Sequence, residues 1–229
     1  MKFPQKYLSA PLIGITTLVI GISPVFAATA PSLGTASSYA VLSARALAKG
    51  AVTCTDATIT GNVGSSGFPS GVTRTRCLIT GAIVAPVSAK VLADFNSAYY
   101  QLANNRCDKF LTGTLAGAKL APGVYCFASA AALTGTLTLN GPSNGVWIFL
   151  INGALTGNSA SVILANGGQA RNVFWGTTNA ATMTSSNFKG TILAGAAITV
   201  TGGTFVGRAL ATKGVTMTGV AATGFMAGY

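Results

Sequence analysis

Three Thr-x-Thr tripeptides near the end of the chain repeat at one fixed spacing. They occupy positions 182–184, 199–201 and 216–218, so the sequence number rises by 17 from each copy to the next. Threonine presents a hydroxyl group, which donates and accepts hydrogen bonds, beside a methyl group, and it carries no charge. A regular array of such side chains would offer a flat, neutral surface for noncovalent contact.

The residues around these tripeptides keep the same step, which predicts a repeating structure. Phe188 corresponds to Phe205, and glycines and β-branched residues recur with the same period. A short repeat of this composition is typical of one coil of a β-solenoid, in which successive turns of the chain stack. Because side chains alternate along a strand, we expect an inward apolar column formed by Met183, Val200 and Met217. The threonines would then point outward, ~6.6–6.8 Å apart along a strand and ~4.7–4.9 Å apart between coils.

The composition favours a mainly β protein without catalytic machinery. Half of the 229 residues are hydrophobic, 7% are charged and 29 are glycine, which favours tight coils over helices. The sequence has no histidine or glutamate, and its carboxylate side chains are Asp56, Asp94 and Asp108. Paired-carboxylate hydrolysis and Ser-His-Asp catalysis therefore lack their components, and metal ligands are not clustered. We expect no enzymatic activity, no cofactor and no metal.

The N-terminus has the pattern of a secretory signal. Two lysines precede an apolar stretch over 12–22, and small residues lead to Ala27. This pattern predicts a signal peptide at 1–27 and one mature domain at 28–229 that is secreted to the extracellular space. The alternative is an uncleaved anchor, but the apolar stretch is shorter than the ~20 residues that a membrane-spanning helix needs.

Four cysteines in an exported protein favour disulfides over metal ligands, because no CxxC pair or histidine accompanies them. Three pairings of the four are conceivable. Proximity in sequence favours Cys54 with Cys77 and Cys107 with Cys126. Each such bond would close a loop of roughly twenty residues and stabilise the fold by ~3 kcal/mol in the chain-entropy model.

The net charge is positive without a pattern typical of nucleic-acid binding. The 14 basic and 3 acidic side chains give +11, and loss of Lys2 and Lys6 with the signal would leave +9. The basic residues are scattered and are not interleaved with exposed aromatics. We expect no nucleic-acid partner, no membrane partner after signal cleavage, and a monomer.

One segment has helical periodicity, and we predict a helix at about 87–106 with Ser88 as its N-cap. Its apolar residues recur at intervals of three and four and are Val91, Leu92, Phe95, Ala98, Tyr99 and Leu102. This apolar stripe must be buried, and one side of the stacked coils is the expected partner.

The helix lies between an early coil and the continuous C-terminal stack, so we expect early strands to join the stack out of sequence order. The solenoid would then be discontinuous. The strict step of 17 holds only for the last coils. In earlier coils, the similar segments 132–135 and 154–157 follow one another at a step of 22.

Seven segments together resemble the large microbial ice-binding (antifreeze) protein family. That family is built as a discontinuous right-handed β-solenoid with a long helix alongside. The segments are LGTASSYAVLSA (33–44), TGNVGSSG (60–67), PGVYCF (122–127), LTGTLTLNG (133–141), VWIFLINGALT (146–156), ARNVFWG (170–176) and FVGRALATKGVTM (205–217).

The resemblance implies a secreted, cofactor-free protein that adsorbs to ice through one flat solenoid face and inhibits ice growth and recrystallisation. The family carries motifs like Thr-Gly/Ala-x-Thr/Asn on successive coils. Residues 201–204 match fully, 184–187 and 156–159 match in part, and 218–221 keep the first half. The expected ice contacts are Thr156, Ser159, Thr182, Thr184, Asn187, Thr199, Thr201, Thr204, Thr216 and Thr218.

Three alternatives compete with ice binding. Outward threonines could serve β propensity alone, as a threonine ladder. An extracellular adhesin or glycan-binding module would also present flat solenoid faces, although such sites normally use exposed aromatics and carboxylates. A solenoid polysaccharide lyase would need a base and charge-neutralising groups, which the three separated aspartates do not supply.

Overall fold

The computed structural model describes residues 28–44, 51–67 and 71–225, and the predicted signal segment at 1–27 lies outside these residues. The described chain is mainly β with one α-helix, α1 at Ala89–Ala103. The strands are β1 Tyr39–Ser43, β2 Val52–Thr55, β3 Thr58–Thr60, β4 Asn62–Ser65, β5 Val72–Thr75, β6 Leu78–Ile79, β7 Ile83–Val84, β8 Lys109–Thr114, β9 Lys119–Leu120, β10 Gly123–Asn140, β11 Trp147–Ile151, β12 Leu155–Ala165, β13 Val173–Thr177, β14 Ala181–Ala194, β15 Ile198–Ala211, β16 Val215–Thr218 and β17 Ala221–Thr223.

All strand pairs are parallel, and they stack into solenoid-like coils with three sides. One side, the helix face, consists in stack order of 109–111, 123–127, 147–151, 173–177, 191–194, 208–211, 41–43, 63–65 and 83–84. The threonine face consists of 113–114, 131–134, 155–158, 181–184, 198–201, 215–218, 52–55 and 72–75. The third face includes 138–139, 161–165, 204–206, 221–223 and 58–60.

The coils do not stack in sequence order. Strand β1 pairs with β15 on one side and with β4 on the other, while β16 pairs with β2. The N-terminal coils therefore extend the stack beyond the last C-terminal coil. Helix α1 follows these N-terminal coils in the chain and leads back to β8, at the opposite end of the stack.

The predicted step of 17 is confirmed, but the predicted step of 22 is wrong. Thr182, Thr199 and Thr216 occupy one register position in neighbouring strands. In the earlier coils Leu133 pairs with Gly157, which corresponds to a step of 24. The repeated Leu-Thr-Gly sequence suggested a step of 22, but it aligns residues that differ by two positions from the true register. The longer turns of these coils change the coil length.

Helix α1 begins and ends inside its predicted bounds. The Ser88 hydroxyl accepts a hydrogen bond from the Val91 backbone N–H at 3.4 Å, which confirms the predicted N-cap. The helix ends at Ala103, before Cys107 joins Cys126 in a disulfide. No helix among the described residues has the length and apolar character needed to cross a membrane.

The buried stripe of α1 covers the helix face. Val91, Phe95, Ala98 and Leu102 are its buried residues. They belong to one apolar cluster with the outward side chains of the helix face, namely Leu42, Val124, Cys126, Ile148, Phe174, Leu193 and Leu210. The predicted burial of the helix against one side of the coils is confirmed, and the other two faces are left for other roles.

Aromatic rings form a ladder inside the coils. The ring centroids of Phe149 and Trp175 lie 3.9 Å apart, and those of Phe188 and Phe205 lie 5.2 Å apart. Trp175 contacts Phe188 at 5.3 Å between centroids and so joins the two pairs. Stacked rings of this kind fix neighbouring coils in register and contribute beyond simple burial.

The N-terminal segment of the described chain is tied to α1 by side-chain acceptors. Asp94 Oδ2 accepts hydrogen bonds from the Thr35 hydroxyl at 2.6 Å and from the Thr35 backbone N–H at 2.7 Å. Gln101 Oε1 accepts from the Ser32 backbone N–H at 2.9 Å. The Thr35 hydroxyl, the Thr35 N–H and Lys90 lower the pKa of Asp94 from 3.8 to about 2.

Candidate functional site

Two columns of outward side chains run the length of the threonine face. The first column, in stack order, is Thr114, Ala132, Thr156, Thr182, Thr199, Thr216, Thr53 and Thr73. The second column is Thr134, Asn158, Thr184, Thr201, Thr218, Thr55 and Thr75. Parallel strands space the rows by ~4.7–4.9 Å, so the eight rows of the first column span roughly 34 Å.

These columns point away from the core, as the sequence predicted. The residues between them in the central rows are buried, with exposed fractions of 1% for Met183, 1% for Val200 and 0% for Met217. Every residue of the two columns is at least partly exposed. Because α1 covers the helix face, the threonine columns do not lie beneath it.

The central threonine hydroxyls are available to solvent. None of the residues in the two columns is charged. Within the described chain, the hydroxyls of the central rows donate to and accept from no protein group; these belong to Thr182, Thr184, Thr199, Thr201, Thr216 and Thr218. By contrast, the hydroxyls of Thr114 and Thr134 lie 2.9 Å apart and share a hydrogen bond at one end of the face. The hydroxyls of the central rows are therefore free, as far as the described residues are concerned, to bond with water or a bound surface.

A left-handed backbone residue ends the threonine face in each coil. It directly follows the second-column residue, has φ between 47° and 66°, and is Gly135, Ser159, Ser185, Gly202, Gly219, Asp56 or Arg76. Only glycine adopts this conformation without a steric penalty, so the four other residues are held there by the surrounding coil. The repeated corner gives the face a straight edge along the whole stack.

Two of the predicted contact residues lie across this corner, on the third face. Asn187 and Thr204 are register partners, and the Thr204 hydroxyl donates a hydrogen bond to Asn187 Oδ1 at 2.9 Å. This bond uses part of the hydrogen-bonding capacity of both side chains. They form a rim beside the threonine face and are not members of its two columns.

The predicted equivalence of 156–159 with 201–204 is wrong. Thr156 pairs with Thr182 in the first column, whereas Thr201 belongs to the second. Ser161 pairs with Asn187, and Ser159 occupies the left-handed corner. The step from the coil of Thr156 to the next coil, that of Thr182, is therefore 26, and the segment equivalent to 201–204 is 158–161. A local motif match could not detect this shift.

About half of the threonine face was not predicted from the sequence. The missed members of the two columns are Thr53, Thr55, Thr73, Thr75, Thr114, Ala132, Thr134 and Asn158. A signal for four of them exists, because 53–55 and 73–75 are also Thr-x-Thr tripeptides, related by a step of 20. That step differs from 17, and the sequence does not show that Thr53 lies beside Thr216.

Elsewhere on the described surface the structure offers little acid–base or metal chemistry. An apolar cavity of about 360 Å³ lies beside the end of α1, and its lining includes Leu102, Phe110 and Tyr99. Burial raises the pKa of Tyr99, and its hydroxyl donates to the Thr177 carbonyl oxygen at 2.9 Å. No three His, Cys, Asp or Glu side chains of the described residues come together as potential metal ligands. The threonine face is thus the extended regular surface among the described residues.

Comparison with known proteins gives one consistent family. The family model described as Ice-binding-like matches residues 14–223. An ice-binding protein of Nostoc sp. (strain HG1) is 37% identical over 202 residues, which covers 85% of this chain and 72% of that protein. Ice-binding protein K1-A of Typhula ishikariensis is 32% identical over 223 residues, covering 85% and 88% respectively.

Solved structures give the same result. The crystal structure of an ice-binding protein from the Antarctic ascomycete Antarctomyces psychrotrophicus superposes with a TM-score of 0.74 and 31% identity, covering 88% of this chain and all of that one. An ice-binding protein from an Antarctic biological consortium superposes with a TM-score of 0.78 and 28% identity, covering 93% and 96%. The similarity therefore extends over most of both chains.

Proposed function

Because this chain belongs to the Ice-binding-like family, we propose that it is an ice-binding, antifreeze protein that adsorbs through its threonine face. One observation supports the threonine face as the ice-binding surface. Two straight columns of uncharged side chains, mostly threonine, stand outward on a side that α1 leaves uncovered, and their central hydroxyls have no partner among the described residues.

The mechanism follows from the two groups that threonine presents. Each hydroxyl can anchor one water molecule, while the neighbouring methyl groups order adjacent water without competing for its hydrogen bonds. A level array of such pairs holds water in a repeating pattern that can merge with the lattice of ice. Ice then grows as curved fronts between adsorbed molecules, which lowers the local freezing temperature and slows recrystallisation.

The central rows are the proposed centre of the ice contact. They comprise Thr182, Thr184, Thr199, Thr201, Thr216 and Thr218, with Thr156 in the adjoining row. Asn187 and Thr204 extend this contact as a rim, and Ser159 lies at its corner. We place no charged group in the contact, since a charge would orient water differently from a neutral hydroxyl.

The remaining properties are proposed together. The coils form a right-handed, discontinuous β-solenoid, and the out-of-order strand pairing and the family membership support this description. The protein is secreted and extracellular, which is supported by the signal-like N-terminus and by two disulfides of the kind that persist in oxidising compartments. It acts as a monomer, by adsorption and without catalysis.

Ice-affinity partitioning of Thr201→Tyr tests the proposed face. The bulky ring would stand above the plane of the central rows, so we expect the variant to remain in the liquid while wild-type protein enters a slowly grown ice hemisphere. Circular dichroism should be unchanged. The matched control is Thr223→Tyr, an exposed threonine of the third face, which should still enter the ice.

Entry of Thr201→Tyr into the ice at the wild-type level would remove the threonine face from consideration. Failure of the wild type to enter ice, combined with retention on an immobilised acidic glycan, would favour the adhesin alternative.

A further inference from the structure

The end of the threonine face is built from a distant part of the chain. Thr53 and Thr55 pair with Thr216 and Thr218, and the row at 73–75 follows them. These two rows belong to the face only because the N-terminal coils stack on the C-terminal ones. Their position therefore depends on whatever holds those coils together.

Apolar packing weakens toward this end of the face. In the central rows a buried methionine or valine stands between the two outward threonines. The corresponding residues in the last two rows are Cys54, which is fully buried, and Arg74, which is exposed. Strand β5 at Val72–Thr75 has no fully buried residue. A strand with so little buried surface is expected to open locally at low free-energy cost.

Two linkages join the last two coils at one corner. Cys54 forms a disulfide with Cys77, with their Cα atoms 5.8 Å apart. Outside the coil, Arg76 Nη2 donates to Asp56 Oδ2 at 2.7 Å in a two-pronged ion pair. Asp56 and Arg76 are the left-handed corner residues of their coils, with φ of 50° and 47°. We name these four residues the corner clamp.

We propose that the corner clamp positions the last two rows of the threonine face, so that the clamp sets the length of the surface that binds ice. This inference rests on the proposed function. The disulfide holds β5 from inside the coil, where the only apolar side chain of β5 that packs on the core is the partly buried Val72, and the ion pair holds the same corner from outside. Cys54, Cys77, Asp56 and Arg76 are positioning residues and do not themselves touch ice.

The second disulfide provides a matched control. Cys107 and Cys126 have a sequence separation of 19, compared with 23 for Cys54 and Cys77, so the chain-entropy model predicts similar stabilisation from the two bonds. Cys126 belongs to the apolar cluster under α1. The coils that it joins also pack through the buried Leu115, Ala131 and Leu133, so removing the control bond should lower stability without disturbing the last two rows of the threonine face.

The first experiment compares two double variants, Cys54→Ala with Cys77→Ala and Cys107→Ala with Cys126→Ala. We expect similar losses of Tm. Thermal hysteresis near 0 °C, at equal concentrations of folded protein, should fall by roughly a quarter only in the first variant, because two of eight rows leave the plane and adsorption scales with contact area. Equal hysteresis in both variants would overturn the proposal.

A milder variant covers the case in which loss of the bond prevents folding. Asp56→Asn keeps a side chain that tolerates the left-handed conformation and weakens the ion pair. Its hysteresis should fall by less than that of the disulfide variant. Lys90→Gln, which removes the exposed ion pair of α1 with Asp94, is its control and should match the wild type. A wild-type value for Asp56→Asn would exclude the ion pair from the clamp.

A double-mutant cycle separates positioning from general stability. In a Thr75→Tyr background the last row of the threonine face is already unable to contact ice. Removal of the Cys54–Cys77 bond should therefore reduce hysteresis by a smaller factor than in the wild type. The same factor in both backgrounds would contradict a positioning role.

Hydrogen exchange distinguishes failure of this inference from failure of the proposed function. The amides of Val72–Thr75 should exchange faster without the Cys54–Cys77 bond and at the wild-type rate without the Cys107–Cys126 bond. If the wild type did not bind ice, the proposed function would be wrong, but exchange would still show whether the clamp orders this strand. Unchanged exchange would overturn the clamp.

Discussion

The helix face and the threonine face are two sides of the same coils, yet α1 covers only one of them. Both are built from parallel strands with the same spacing between rows. The outward side chains of the helix face are mostly large and apolar, as in Ile148, Phe174 and Leu193. On the threonine face the same outward direction is occupied by threonine, asparagine or alanine.

The outward side chains determine what each face contacts: α1 packs on the helix face, and the threonine face stays exposed. Large apolar groups lose contact with water only if another apolar element packs on them, which α1 does with Phe95 and Leu102. Threonine hydroxyls would be left without partners under such an element, and unsatisfied buried polar groups are unfavourable. Threonine columns therefore keep the second face open while their methyl groups keep it weakly apolar.

The largest expected effect is a loss of stability when the packing of α1 on the helix face is disrupted. Phe95→Ala removes a ring that is 1% exposed in the α1 cluster, and we expect the free energy of unfolding to fall by about 3–5 kcal/mol. Thermal unfolding followed by circular dichroism measures this. Tyr100→Ala, at a side chain that is 65% exposed on the same helix, is the control. Losses of the same size in both variants would show that the helix face is not a packed interface.

Substitutions on the threonine face should change ice-binding activity and leave the stability of the fold nearly unchanged. Thr199→Val keeps the shape but removes a hydroxyl that has no partner in the described part of the chain, so stability should change by less than about 0.5 kcal/mol. Ice recrystallisation inhibition should decrease. Thr199→Ser, which removes the methyl group instead, shows which group matters more. Full activity in both variants would mean that the central threonines serve β propensity alone.

The first column of the threonine face can also be made more regular by one substitution. Ala132 stands in the first column between Thr114 and Thr156, so Ala132→Thr completes the column. We expect thermal hysteresis to rise by roughly a tenth, in proportion to the added contact. Thr138→Ser, on the third face, is a control for unrelated surface change. A decrease on completing the column would contradict the idea that its regularity is functional.

The smallest expected effect concerns pH and the N-terminal tether of the helix face. Hydrogen bonds from Thr35, aided by Lys90, lower the pKa of Asp94 to about 2, so the ionised carboxylate stabilises the folded state above its unfolded pKa of 3.8. This contribution should disappear as the pH falls from about 4 through about 2. Urea unfolding at pH 5 and pH 2 should show a smaller difference in Asp94→Asn than in the wild type. Ice binding near neutral pH should be unaffected.

The sequence was informative where coils follow one another directly. A constant step of 17 places Thr182, Thr199 and Thr216 in one column, and alternation along the strand orients them correctly. The period of the apolar residues located α1, and short separations predicted both disulfide pairings, which the structure confirms. Each of these features depends on contacts between residues that are close in sequence or strictly periodic.

The remaining features depend on information that local patterns do not contain. Turns of different length give the earlier coils steps of 24 and 26, which moved Ser159 from a predicted contact to a corner. Thr53 and Thr73 joined the face through pairing with the other end of the chain. A search for one fixed period detects neither insertions nor neighbours that are distant in sequence.

The pairing of the first described strand with a late one has a consequence for biosynthesis. Val41 lies beside Ala209, so most of the polypeptide must be made before this contact can form. Until then, the early strands have a free edge where β15 and β16 will later bind, and such edges invite intermolecular association. Contacts between residues so distant in sequence also slow folding. The nascent chain therefore exposes this strand edge until translation reaches its last coil.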